Sequence, residues 1–349
     1  MKKVYRVLKA FAVLSIVSLI IANCSPTGSF EEGKDAYVRK DFTKALKILR
    51  PLAEKGDANA QIILGRMYYL SQGVTADYTE AEKWNRKAAN QGLALAQSAL
   101  GLMYHDGNGV MQDYNEAVKW YRLAANQGEE FAQWNLGLMY YNGTGVSQDY
   151  TEAEKWLRKA AEKGLALAQS ALGAMYKDGK GVLQDYNEAE KWFRKAAYQG
   201  ETGAQCILGV MFQDGEGVSK DYNEAAKWYR KAADQGDAGA QWLLGVMFQD
   251  GKGVPQDFLE AVKWYRLAAN QGNANAQWNL GLMYAQGKGE TQDYILAHMW
   301  LNLAAAQTSS GEEIVNMRDL VAQQMTPNQI SEAQRLAREW KPKAPVIIR

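Results

Sequence analysis

Along this 349-residue chain, apolar positions fall into two alternating helical registers that return every 36 residues. In the first, Ala60, Leu64 and Met67 with Tyr68 are three and four residues apart, the spacing that aligns side chains on one face of an α-helix (helix A). In the second, which follows Asp77, Ala81, Trp84 and Ala88 do the same (helix B). Ala-Gln opens helix A seven times, at Gln61, Gln97, Gln133, Gln169, Gln205, Gln241 and Gln277. Gly65, Gly101, Gly137, Gly173, Gly209, Gly245 and Gly281 keep the same period, and so do Trp84, Trp120, Trp156, Trp192, Trp228, Trp264 and Trp300. Three markers in one register define a tandem array of helix pairs. One apolar stripe per helix demands partners on both sides, so the pattern predicts an all-α, right-handed superhelical solenoid in which each pair closes over the next.

The polar positions punctuate the helices. Asp77 followed three residues later by Glu80 is a capping-box pattern that returns as Asp113/Glu116, Asp149/Glu152, Asp185/Glu188, Asp221/Glu224 and Asp257/Glu260. Helix B closes at Gly92 and its counterparts Gly128, Gly164, Gly200, Gly236 and Gly272, where a left-handed residue ends a helix without a Cβ penalty. The turn between helices reads G-x-G-V at 107–110, 143–146 and 179–182. Ala88 and Ala89 permit close approach of helices, Gly65 marks a point where a neighbouring helix excludes a side chain, and Trp84 is expected to fill the wider space. These signals divide the chain into a signal segment (1–23), a short linker (24–29), N-terminal capping helices (30–56), seven repeats (57–308), a C-terminal capping pair (309–341) with Thr326 and Pro327 opening its last helix, and a tail (342–349). Residues 92–101 are identical to 164–173 and 77–84 to 149–156, an echo at 72 residues that indicates duplication of two-repeat blocks.

The first residues change the picture of location. Lys2, Lys3, Arg6 and Lys9 precede an apolar run over 10–22, too short for the roughly 20 residues of a comfortable membrane-spanning helix. The sequence Ile21, Ala22, Asn23, Cys24 resembles a bacterial lipobox, in which Cys24 becomes the lipidated first residue of the mature protein; Asn23 departs from the small residue usual before that cysteine. Ordinary secretion with cleavage nearby, and an uncleaved anchor, are the alternatives. The expected place is therefore the bacterial cell envelope, with lipid on Cys24 holding the array at the membrane and Ser25 resembling an outer-membrane sorting residue. Without those four basic residues, 36 of the 40 Lys and Arg face 39 Asp and Glu, so no basic field is present to draw in nucleic acid. Cys206 is the other cysteine, and at a helix A position it reads as a small buried hydrophobe.

The unit containing Ala96, Leu100, Gly101, Tyr104, Gly107, Gly109, Val110, Asp113, Tyr114, Ala117, Trp120, Tyr121, Ala124, Ala125 and Gly128 resembles the Sel1-like repeat family, relatives of the tetratricopeptide repeat. The resemblance spans roughly 34–308, and Ser71, Thr75, Ala76, Phe212, Phe248 and Phe258 are its departures. It implies an adaptor that organises protein complexes, in bacteria at the envelope, in host interaction or in exopolysaccharide export; some bacterial members have been described as beta-lactamases.

The residues themselves carry little chemistry. There is no Ser-x-x-Lys, Lys177-Asp178-Gly179 is a repeat turn, and His105 and His298 lack metal-ligand spacing. The G-x-G turns follow no strand and precede no Gly-Lys-Ser/Thr, so no nucleotide, metal or other cofactor is expected. Asp106, Asp178, Asp214 and Asp250 form a row before the turns that is either a solvated edge or a binding rim. Helix A varies from repeat to repeat at three positions on one face: Ile62, Ser98, Trp134, Ser170, Cys206, Trp242 and Trp278; Arg66, Leu102, Leu138, Ala174, Val210, Val246 and Leu282; Tyr69, His105, Tyr141, Lys177, Gln213, Gln249 and Ala285. Helix A lines the concave surface in relatives of this fold, so Trp134, Tyr141, Trp242, Trp278, Leu102, Leu138, Tyr69 and His105 are the candidate face for a protein or peptide; the competing reading is that these tryptophans close the core between repeats. The expected role is a non-enzymatic scaffold, with binding of peptidoglycan or exopolysaccharide as the alternative and a beta-lactamase-like hydrolase behind both. Metabolic labelling with a fatty-acid analogue tests the anchor: Cys24→Ala is expected to lose the label and the membrane location, and unchanged labelling would remove the lipoprotein reading.

Overall fold

The computed structural model describes residues 28–307 and 312–347. The signal segment and Cys24 lie outside the described residues. The described chain is all α-helix without a strand, and divides into two compact units, the first ending at Leu183 and the second starting at Gln184. The first unit holds α1 (Gly28–Val38), α2 (Phe42–Glu54), α3 (Ala58–Tyr69), α4 (Tyr78–Asn90), α5 (Ala94–Asp106), α6 (Tyr114–Asn126), α7 (Glu130–Asn142), α8 (Tyr150–Glu162) and α9 (Ala166–Asp178). The second holds α10 (Tyr186–Tyr198), α11 (Thr202–Asp214), α12 (Tyr222–Asp234), α13 (Ala238–Asp250), α14 (Phe258–Asn270), α15 (Ala274–Gln286), α16 (Tyr294–Ala305), α17 (Glu312–Ala322) and α18 (Pro327–Glu339). Within each unit every A helix packs on its own B helix and on the B helix before it, the connectivity of a stacked helix-pair solenoid, and α16 is covered by both α17 and α18.

The two helices of a pair are not alike. Helix B is amphipathic: α4 buries Ala81, Trp84, Asn85, Ala88 and Ala89 and turns its charges outward. Helix A is enclosed on several sides, and α7 buries Phe131, Ala132, Gln133, Trp134, Asn135, Leu136, Gly137 and Met139. The single stripe expected for helix A is therefore too narrow, because it is clamped between two B helices and also touches the next A helix, as α5 touches α7. At the closest approach a Cβ on Gly101 would lie 2.7 Å from the Tyr121 ring, and one on Gly245 2.7 Å from Tyr265. The neighbour that fills this space is the residue after the repeated tryptophan, not the tryptophan itself. Trp84 stands to one side, 6 % exposed, with the Lys87 ammonium 4.2 Å from its ring centre.

The capping pattern is realised by half. Asp77 Oδ1 accepts from the backbone N–H of Thr79 and Glu80 at 2.9 and 3.0 Å, and Asp113, Asp149, Asp185, Asp221 and Asp257 cap their helices in the same way. The return bond of a capping box is missing because the Asp77 amide donates to Tyr68 O of helix A at 3.2 Å. Glu80 is thereby released to accept from Lys83 at 2.9 Å, and Glu152 and Glu260 each take both a lysine and a tryptophan N–H. A reciprocal capping box forms instead at Thr326 and Gln329. In the turn, Gly109 has φ +77° and lies against Tyr78 O of the preceding repeat, where a Cβ would collide with backbone.

A second directed contact joins successive repeats. Gln97 is 5 % exposed; its Nε2 donates to Ala89 O of the preceding B helix at 3.3 Å, and its Oε1 accepts from Gln127 Nε2, at the end of its own B helix, at 2.7 Å. Gln61, Gln205, Gln241 and Gln277 make the same two bonds, to partners Gln91, Gln235, Gln271 and Gln307. At Gln133 the chain has Lys163 in place of the partner glutamine. Lys163 donates to Gly128 O, and Gln133 Oε1 is left buried without a hydrogen bond. Gln271 shows that a glutamine can serve both acceptors, Gly236 O at 3.0 Å and Gln241 Oε1 at 2.9 Å.

Two stability predictions follow from these packings. Lys163→Gln is expected to raise unfolding stability by about 1 kcal/mol, the net worth of one buried hydrogen bond, and a lower urea midpoint in the variant would refute it. His298 is 4 % exposed on α16 and its Nδ1 has no partner; burial, and the Arg318 cation, hold its pKa below the ordinary value. A lowered histidine pKa means that the unfolded chain takes up protons more readily, so stability is present above pH about 6.5 and is lost as pH falls. Hydrogen exchange of α16 to α18 should therefore accelerate between pH 7 and pH 5 (after correction for intrinsic rates), and His298→Phe should flatten that dependence.

Candidate functional site

The face chosen from repeat variation lies on the A helices, and it differs between the two units. In the first, Tyr69 meets the Tyr78 ring edge-on at 5.1 Å, His105 meets Tyr114 at 5.3 Å, and Tyr141 meets Tyr150 at 5.1 Å. Each of these residues ends an A helix and leans on the first residue of its B helix. The next repeat's turn reaches back over two of them: Asn108 Nδ2 donates to Tyr69 OH at 2.9 Å and Lys180 Nζ donates to Tyr141 OH at 2.9 Å. Burial pushes the Tyr69 pKa up to about 12, so this hydroxyl is a neutral hydrogen-bonding group and not a base. His105 Nδ1 is 3.0 Å from Asp106 Oδ1, which ties the first member of the aspartate row to the helix end. Leu102 and Leu138 are half-buried one turn earlier. Trp134 is only 7 % exposed and is enclosed in the helix stack with Phe131, so its ring is core surface and not a surface anchor.

In the second unit the same face opens into a groove of about 420 Å³ between the ends of α13 and α15. It is lined by Gln249 and Asp250 of α13, by Asn279, Leu282, Met283 and Gln286 of α15, by Phe258 at the start of α14, and by Lys252 and Lys288 of the turns. Its polar groups are partly held in place: Gln249 Oε1 accepts from Tyr265 OH at 3.0 Å, Lys252 pairs with Asp250 at 3.0 Å, and Lys288 lies 5.6 Å from the Phe258 ring centre. Trp242 and Trp278 are half-buried higher on the same helices, and Trp242 Nε1 donates to Asn279 Oδ1 at 2.9 Å, so one tryptophan orients an amide on the groove wall. Gln249 and Leu282 belong to the variable positions singled out in the sequence. Asn279, Lys252 and Lys288 do not, although the turn position between the two glycines also changes from repeat to repeat, from Asn108 and Thr144 to Lys180, Glu216, Lys252 and Lys288.

The groove lining offers hydrogen-bonding amides, apolar surface from Phe258, Leu282 and Met283, and two lysines, and no converging nucleophile and base. Among the described residues no group of three or more His, Cys, Asp and Glu side chains could hold a metal ion. Cys206 is half-buried, and burial, with Asp237 and Glu201 nearby, pushes its thiol up to about 12, which suppresses the thiolate. No described helix is long and apolar enough to cross a membrane.

The stacked A and B helices, with a variable face presented by helix A, define an α-helical repeat protein of the tetratricopeptide-like class. The Sel1 repeat profile matches eight consecutive segments, 29–57, 58–93, 94–129, 131–165, 166–201, 202–237, 238–273 and 274–309. The chain belongs to the Sel1 repeat family. The first matched segment falls on α1 and α2, the stretch read from sequence as capping helices. Among solved structures, a Sel1 repeat protein from Oxalobacter formigenes is 37 % identical, with a TM-score of 0.67 over 83 % of this chain and 86 % of that one. The Escherichia coli protein c5321, described as a protective antigen present in uropathogenic strains and displaying an SLR fold, is 29 % identical, with a TM-score of 0.53 over 89 % and 91 % of the two chains. No curated protein matches the chain.

Proposed function

We propose that this Sel1 repeat protein is a non-catalytic protein-interaction scaffold of the bacterial cell envelope that holds an extended stretch of a partner polypeptide along the A-helix face. One observation carries the reading. The repeated side chains, Asp77, Gln97, Gly101 and their counterparts, are engaged in building and joining the helix pairs, while positions that differ between repeats line the groove. A scaffold needs this division, since a constant framework can then present a different chemistry in each repeat. The groove walls suit a polypeptide: Gln249, Asn279 and Gln286 can each donate to and accept from peptide groups, and Leu282 with Phe258 gives apolar surface for alternate side chains. Family membership supports the interaction role, and the basic and apolar start of the chain with Cys24 supports export and a lipid anchor.

The test is recovery of a partner from envelope fractions with the full chain and with Leu282→Asp. Wild type is expected to retain a defined protein, and the substitution to lower its recovery at least tenfold while helicity by circular dichroism is unchanged. Recovery of no protein, together with retention on peptidoglycan or exopolysaccharide, would overturn the proposal in favour of glycan binding.

A further inference from the structure

The segment that follows α18 is seated on the opposite edge of the second unit, away from the groove. There α12 and α14 each end in a glycine with positive φ, +90° at Gly236 and +91° at Gly272, which leaves a notch beside the last carbonyls of the helix. Trp340 leaves α18 with φ −64° and ψ 139°, polyproline II geometry, and its ring packs against Trp300 at 6.2 Å. Trp340 and Pro342 then lie over the Gly272 notch, 3.7 and 3.9 Å from where a Cβ would stand, and Pro345 lies 2.9 Å from the corresponding point at Gly236. Between the two prolines, the Lys343 N–H donates to Asn270 O at 2.7 Å, a carbonyl at the end of α14.

The register follows from geometry. Polyproline II rises about 3.1 Å per residue and repeats every three, so prolines three apart stand on one side of the strand roughly 9.3 Å from one another, and Pro342 and Pro345 with that spacing meet the successive notches at Gly272 and Gly236. A P-x-x-P strand therefore places one proline, which has no N–H to satisfy, in each glycine notch, and turns an intervening N–H toward a free helix-end carbonyl. Notches without an occupant exist elsewhere: a Cβ at Gly200 in the second unit, or at Gly92 and Gly164 in the first, would meet nothing within 4 Å, whereas Lys163 covers Gly128. The seat is shallow, with Val346 53 % exposed, so the contact is suited to exchange.

We propose that the glycine-notched edge is a second binding surface, independent of the A-helix groove, that takes extended P-x-x-P polypeptides at one proline per repeat, and that the chain's own segment at 341–347 occupies it as an intramolecular competitor. Tethering places that segment at an effective concentration in the millimolar range, so binding by a separate strand is masked until the segment lifts. The test uses the full chain with Pro342 and Pro345 both changed to glycine, a second variant Lys343→Pro that keeps both prolines and removes the amide donor together with the lysine side chain, and a fluorescent peptide with the sequence of 341–347. In wild type the Lys343–Ala344 bond should resist trypsin, and the double variant should be cut at least tenfold faster. The peptide should bind both variants at least tenfold more tightly than wild type, and a peptide with its prolines moved to adjacent positions should bind at least tenfold less tightly. Equal cleavage of wild type and the double variant, equal peptide binding by all three proteins, or indifference to proline spacing would each overturn the proposal.

Discussion

A buried side-chain amide that bonds across two helices at once sets the register of this molecule. Apolar stacking drives the helix pairs together but is non-directional, and small side chains such as Ala88 and Ala89 would tolerate sliding. The glutamine at the start of each A helix forbids it. Its N–H is committed to the last turn of the helix before it and its oxygen to the glutamine that ends its own pair, as at Gln241 with Ala233 and Gln271. An amide held at 0 % exposure is destabilising unless both ends are satisfied, so displacing one pair relative to the next would strand a donor or an acceptor. The orphaned oxygen of Gln133 shows how local the consequence is: one lysine in place of glutamine breaks one link and leaves the link at Gln97 in the preceding repeat intact.

That constraint explains the division between framework and face. Because the A helix is clamped by two B helices, its side chains have fixed assignments over most of its circumference, and freedom to vary survives at the sector facing away from both. Where this sector carries bulky aromatics supported by the next turn, as at Tyr69 and Tyr141, it is filled. Where it carries amides and a leucine, as at Gln249, Asn279 and Leu282, it opens into a groove. A similar logic holds at the other edge, where a glycine required for helix termination also leaves backbone within reach of a second strand.

Much of this was legible from residue spacing, because helix periodicity, caps and the 36-residue period are local properties. The aspartate caps and the glycine contacts are where the pattern put them. The differences arise at contacts between repeats. Glu80 is diverted from its box because the Asp77 amide finds a carbonyl of helix A, a bond no local motif encodes. Trp84 yields the place beside the glycine to its successor, since a difference of one residue is a rotation of about 100° about the helix axis, enough to move a ring off the contact. The repeated glutamines were visible as markers of period, but their two partners lie 8 and 30 residues away and on different helices.

The sequence by itself determined the class of fold, the pairing of helices and the division between constant and changing positions, for these rest on periodicity and on interactions within a few residues. The tertiary structure decided which of the changing positions are surface and which are core, closing Trp134 away while leaving Gln249 and Leu282 on a groove wall. It also decided that residues 341–347 lie against the glycine edge. The physical reason is common to both: exposure is a property of neighbours brought together by stacking, and a side chain's own identity sets what it can contribute but not which surface its neighbours leave open.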